Sequence, residues 1–184
     1  MRFEKILPNG RLWATVYEGE ETNTLDATFS QWEDVAWLKS FFENNISDLS
    51  SYFHITDVNQ AIYDTLDDNE KLQCLILDLS PEANLDELFR PLSNSQIGEI
   101  LLGKEKARLR NRPKHASWLR IYAIKLSPGV FIVTGGAIKL TATMQEREHT
   151  LMQLARMEKV RNVLIEADVV DDAGFGRFLQ LAGK

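Results

Sequence analysis

Between Lys104 and Lys114, six of eleven residues are basic: Lys104, Lys106, Arg108, Arg110, Arg112 and Lys114, with His115 directly after them. Whatever its conformation, this is a concentrated positive element that can bind phosphate or an acidic partner, or serve as a solvated face. Farther on, Arg120 and Tyr122 stand two apart in an apolar run, so on a strand they share the face opposite Leu119 and Ile121. A cation and a phenol held side by side can stabilise charge and carry a proton. The same pair also suits an ordinary outward strand face, or an arginine matched to a carboxylate. Of the three histidines, His115 and His149 are candidate proton carriers, and His54, between Phe53 and Ile55, reads as a partly buried structural residue.

Other chemistries lack their residues. The lone cysteine, Cys74, permits neither an internal disulfide nor a thiolate metal site, and its setting in Leu72-Gln-Cys-Leu-Ile-Leu reads as a buried inert thiol. Asp67-Asp68 and Asp171-Asp172 come without a calcium-loop pattern or a histidine set. Gly135-Gly136 lacks the surroundings of a dinucleotide or phosphate loop and reads as a bulge, and no Gly-x-Ser-x-Gly elbow occurs. An enzyme built from this inventory works by placed charges and proton carriers, and no metal or cofactor is expected.

Charge is divided unevenly along the chain that must position these groups. Over 184 residues the formal charge is −6, but residues 1–98 carry 6 Lys/Arg and 18 Asp/Glu, a net −12. Residues 99–165 carry 13 and 5, a net +8, and residues 166–184 carry 2 and 4, a net −2. Net acidity therefore does not exclude a nucleic-acid ligand, and the acidic part could itself cover the basic one. Apolar content of 44% and charged content of 26% exclude collagen-like and wholly disordered chains. The start Met1-Arg-Phe-Glu-Lys has no signal-peptide core and no stretch has membrane-span length, so a cytoplasmic protein without membrane contact is expected.

Pattern predicts a hairpin, Phe3–Leu7 and Leu12–Tyr17, about Pro8-Asn9-Gly10. A helix follows, capped by Ser30 and continuous through Phe29, Trp32, Val35, Ala36, Phe42, Ile46 and Leu49. A second helix starts at Thr56, is interrupted at Asp67-Asp-Asn, and precedes a separate apolar run, Leu72–Leu79, that suits helix or strand. Two antiparallel strands, Trp118–Leu126 and Val130–Thr134, flank Ser127-Pro-Gly, with a further short strand at Ala137–Leu140. A helix from Met144 to Ile165 starts at the Thr143 to Glu146 capping-box spacing, with a short helix or frayed tail after Asp168. The aromatic group Trp32, Trp37, Phe41, Phe42, Tyr52 and Phe53 reads as core or a partner groove. The expected fold is α+β: an acidic, mostly helical N-terminal region (1–97), a basic region with a small antiparallel sheet and a long C-terminal helix (98–167), and a tail (168–184), packed as one unit.

Across residues 88–165 the order is Leu-Phe-Arg-Pro-Leu, a basic stretch, a strand with Leu119-Arg-Ile-Tyr122, a tight turn, an apolar strand, a glycine-containing segment ending in Lys139, Thr141 and Thr143, and a helix. This order resembles the RelE/HigB-type toxins of bacterial toxin–antitoxin systems, which cleave messenger RNA, usually on the ribosome. The chain departs from that family in its length, in its acidic N-terminal helices, and in Lys139-Leu140 where many members have paired lysines. The resemblance implies a RelE-like sheet and a metal-independent endoribonuclease or RNA-binding surface, with an antitoxin and mRNA or the ribosome as partners. It also implies Arg120 and Lys139 as charge stabilisers, His149, His115 or Tyr122 as proton carriers, and Lys104, Lys106, Arg108, Arg110, Arg112 and Lys114 along the phosphate. The alternative is a non-catalytic interaction protein whose basic surface binds an acidic partner or its own N-terminal region.

Overall fold

The computed structural model describes residues 1–93, 101–110 and 113–182. At the N-terminus the polar Pro8-Asn-Gly turn brings β1 (Arg2–Lys5) back on β2 (Leu12–Val16), with Gly10 at a positive φ of 75°. The predicted continuous helix is instead three: α1 (Thr24–Glu33), α2 (Val35–Asn44) and α3 (Ile46–Phe53). Two polar residues break it. The Asp34 carboxylate accepts the amides of Ala36 and Trp37 and so starts α2, and Asn45 separates α2 from α3. Asn23, not Ser30, caps α1, through the amides of Leu25 and Asp26.

The opposite correction applies to the next segment, where α4 (Val58–Ile76) runs unbroken through Asp67-Asp-Asn, with Asp57 rather than Thr56 as its cap. Asp68 and Asn69 point inward, and the Asn69 amide donates to the Phe29 carbonyl, so tertiary contact engages a side chain that locally favours a break. A short turn, α5 (Leu85–Leu88), leads into β3 (Phe89–Pro91).

The basic stretch contributes a strand, β4 (Gly103–Ala107), that the sequence pattern does not announce. β5 (Leu119–Leu126) and β6 (Val130–Ile138) pair antiparallel as expected. β6 absorbs the predicted separate strand: Tyr122 pairs with Gly135 and Ala123 with Val133, so a bulge at Thr134 keeps the ladder going. The sheet is therefore not small or wholly antiparallel. It has six strands in the order β1-β2-β6-β5-β4-β3, and β2 lies parallel to β6. The three strands of the basic part, β6-β5-β4, lie together in this one sheet, flanked by β1-β2 on one side and β3 on the other, all from the acidic part.

Each face of the sheet has its own core. On one, Leu119, Ile121 and Ala123 of β5 pack with Phe29, Trp32, Phe42, Leu49 and Leu72 of the N-terminal helices. Of the aromatic group, Trp32 and Phe42 are fully buried there, whereas Tyr52 is exposed, and His54 is an exposed left-handed cap of α3. On the other face, Tyr122, Ile124 and Leu126 pack with Met157, Val160 and Leu164 of α6 (Glu148–Glu166) and Phe175 of α7 (Asp172–Ala182). The chain thus ends in two helices; α7 edges its Phe175 ring against Phe3 and Trp13. Glu146 does accept from Thr143, but in the loop before α6, which begins only at Glu148. Among the described residues no helix is long and apolar enough to cross a membrane.

Candidate functional site

A cavity of about 810 Å³ opens between α6, the loop after β6 and the β4–β5 part of the sheet. Strand alternation sends Lys104 and Lys106 from β4, and Arg120 and Tyr122 from β5, to this face. Arg108 lies just beyond β4, Lys139 comes from the end of β6, and Arg161 comes from α6. Six cationic side chains and no carboxylate therefore line the cavity among the described residues. Leu92, Leu102, Met144 and Leu154 supply its apolar walls.

The deepest groups are Arg120, 8% exposed, and Tyr122, 0% exposed. Neither occupies an outward strand face, because α6 covers this side of the sheet. Arg120 Nη1 donates to the Ser117 and Leu119 carbonyls at 2.6 and 2.7 Å, and its other guanidinium nitrogens make no hydrogen bond among the described residues. The Tyr122 hydroxyl is buried without a hydrogen-bond partner among the described residues, an expensive state for an O–H group. Lys139 Nζ donates to the Thr141 and Ala142 carbonyls, both at 2.6 Å, and so shapes the loop over the cavity mouth. Lys104 pairs with Glu158 of α6, and Lys106 donates to the Leu92 carbonyl at 2.8 Å.

Crowding of like charge is visible in the protonation behaviour. Burial, and then the neighbouring Arg108, push Arg120 down to about 10. Burial followed by Arg120 also lowers Lys106 and Lys139 from the usual lysine value. Burial raises Tyr122 well above the ordinary phenol range, so at neutral pH it is a donor and not a phenolate. Such a site holds positive charge at an energetic cost that a bound anion would relieve.

The two histidines named as proton carriers lie elsewhere. His115 stacks flat on Trp118, with centroids 4.5 Å apart, and faces the Asp64 carboxylate at 3.0 Å against α4, on the other side of the sheet. His149 contacts the Ile138 carbonyl at 2.9 Å and meets the Phe41 ring edge-on. Trp118 and Asp64 hold His115, and Phe41 and the Ile138 carbonyl hold His149, neighbours that their local sequence does not reveal. Lys114 is exposed in the loop before β5, Arg110 is exposed and lines a second cavity, and Arg112 lies outside the described residues. Arg161 was missed because, on a helix with many charges, nothing local separates it from its neighbours; only its place over β4 does.

Among the described residues, the helices of the acidic region do not line this cavity. They pack on the opposite face, and none of residues 1–91 lines the site. Contact with the basic part is made beside it, where Asp48 accepts two bonds from Arg147 at 2.7 and 2.5 Å and Glu20 accepts from Arg156 at 3.2 Å. Cys74 is only partly buried and borders the second cavity. No protein-family model, curated protein or solved structure matches this chain.

Proposed function

We propose that the cavity binds the phosphodiester of RNA, and that the protein is a cytoplasmic, RelE-like endoribonuclease acting on messenger RNA. The observation that carries this reading is the convergence of six cations around a buried hydroxyl, with neither a lining carboxylate nor a hydrogen-bond partner for that hydroxyl among the described residues. A phosphate there would accept from Tyr122 and from the unengaged nitrogens of Arg120. Cleavage would proceed by attack of the 2′-hydroxyl on the adjacent phosphorus and breakage of the bond to O5′, leaving a cyclic phosphate and a 5′-hydroxyl. Burial and Arg120 make the Lys106 ammonium easier to deprotonate, and its neutral fraction would take the 2′ proton, leaving five cations around the phosphate. Tyr122 would donate toward the leaving oxygen, while Arg120 and Arg108 hold the charge that develops on the phosphate. Lys139 serves as much by bridging two loop carbonyls as by its charge. Any antitoxin partner would need to cover this cavity, since the chain's own acidic helices pack on the opposite face of the sheet.

Controlled expression of the wild type and of Arg120→Ala tests the reading. Growth arrest with mRNA cleavage from the wild type, lost in the variant, is expected. Absence of both from the wild type, together with retained binding of RNA, would favour a non-catalytic phosphate-binding or acidic-partner-binding role, a reading supported by the absence of both histidines from the lining. Absence of RNA binding as well would overturn the proposal.

A further inference from the structure

Resting on the reading of the cavity as an RNA-phosphate site, we infer that the outer edge of the sheet is a second binding surface, a track for the single-stranded RNA that continues beyond the bound phosphate. Arg90 of β3, Lys106 of β4 and Tyr122 of β5 are direct register partners, so one row of side chains on the same face leads from the cavity floor to the exposed edge. Adjacent strands are about 4.8 Å apart, which sets the cations of this row at close, regular intervals.

The hollows join along this row. Ser93, Lys106 and Arg108 line both the main cavity and a shallower hollow of about 270 Å³, and Arg90 and Arg110 complete the wall of that hollow. No carboxylate lines either one among the described residues. Nor is the edge suited to strand addition, because β3 is three residues long and includes Pro91. On their far side Arg90, Arg108 and Arg110 also border the second cavity, where Glu70, Glu82 and Glu87 would repel phosphate and so bound the track. The track is therefore finite, running from Arg120 to Arg110.

Depth decides the class of strand. Arg120 and Tyr122 are more than nine-tenths buried, so a phosphate reaches them only if its nucleotide leaves the stack and enters the cavity. A duplex holds its phosphates on a rigid outer rail and cannot do this without unpairing. A flexible strand can place one nucleotide inside and lay the next phosphates on Arg108, Arg90 and Arg110.

The test compares binding of oligo(U) of two and eight nucleotides, and of an eight-base-pair RNA duplex, to the full chain and to the Arg90→Gln, Arg110→Gln double variant. Both arginines are exposed, and the variant's circular dichroism and melting temperature verify its fold. The octamer should bind the wild type more tightly than either the dinucleotide or the duplex. In the double variant its salt slope should become shallower by about 1.4, two phosphates at ~0.7 each, while dinucleotide binding stays unchanged. Dinucleotide binding without any gain from the octamer, or an octamer indifferent to the double substitution, overturns the track alone. Tighter binding of the duplex overturns the single-strand assignment, and failure of every RNA to bind overturns the phosphate site and the track together.

Discussion

Tyr122→Phe removes one oxygen and should move stability and binding in opposite directions. The Tyr122 ring is fully buried and packs in the core under α6, and phenylalanine preserves that packing. The hydroxyl has no hydrogen-bond partner among the described residues. Holding such a group away from water costs ~1–3 kcal/mol, so its removal should stabilise the unliganded protein by about 1 kcal/mol. For a chain of this length that corresponds to a rise in melting temperature of roughly 2–4 °C. A bound phosphate would instead lose a hydrogen bond to a charged group, worth ~1.5–3 kcal/mol, which is about a tenfold or greater loss of affinity. Differential scanning calorimetry without ligand, and titration of a uridine dinucleotide followed by fluorescence, read the two effects separately. A lower melting temperature would show that the hydroxyl is satisfied in the native protein. Unchanged dinucleotide affinity would show that it does not face the ligand. Either result refutes the reasoning that places this hydroxyl at the site.

Anion binding should also depend on pH. Lys106 and Lys139 are held below their ordinary value of 10.5 by burial and by the neighbouring cations. For a base depressed on folding, the unfolded chain binds more protons in the interval between the two values, so the folded-state penalty is present below the folded value and is relieved as pH rises toward 10.5. For Arg120 the same interval starts at about 10 and extends up to the ordinary guanidinium range. The rise in melting temperature produced by inorganic phosphate should accordingly shrink as pH rises toward 10.5, and a constant increment would argue against these lysines as its receptors. Thr65→Val leaves the buried Trp118 Nε1–H without its acceptor at 2.9 Å, and urea unfolding should report a loss of ~1–3 kcal/mol. Gly135→Ala would set a Cβ 2.2 Å from Gln153 Oε1 at a φ of +153°, and should destabilise the protein markedly. Adding Gln153→Ala should recover part of that loss in the same measurement; full recovery would show that the backbone angle itself costs nothing.

Local pattern alone determined the hairpin, the β5–β6 pair and the division of charge along the chain. These depend on the two-residue period of a strand and on turn chemistry, which act among neighbours in sequence. The facing of Arg120 and Tyr122 to one side was legible for the same reason. Their burial was not, because it comes from α6, thirty or so residues farther on. Segmentation of the N-terminal helices was misread in both directions: Asp34 found amides to cap and broke a helix, whereas Asp68 and Asn69 turned into the core and let one continue. Tertiary structure likewise decided the membership of the site. The antiparallel return of β4 along β5 set Lys104, Lys106 and Arg108 beside Arg120, α6 delivered Arg161, and the stacking of His115 on Trp118 removed it to the other face. Residue type and spacing define which chemistry a side chain can offer; only contacts between distant segments define which side chains meet, and which are deprived of water when they do.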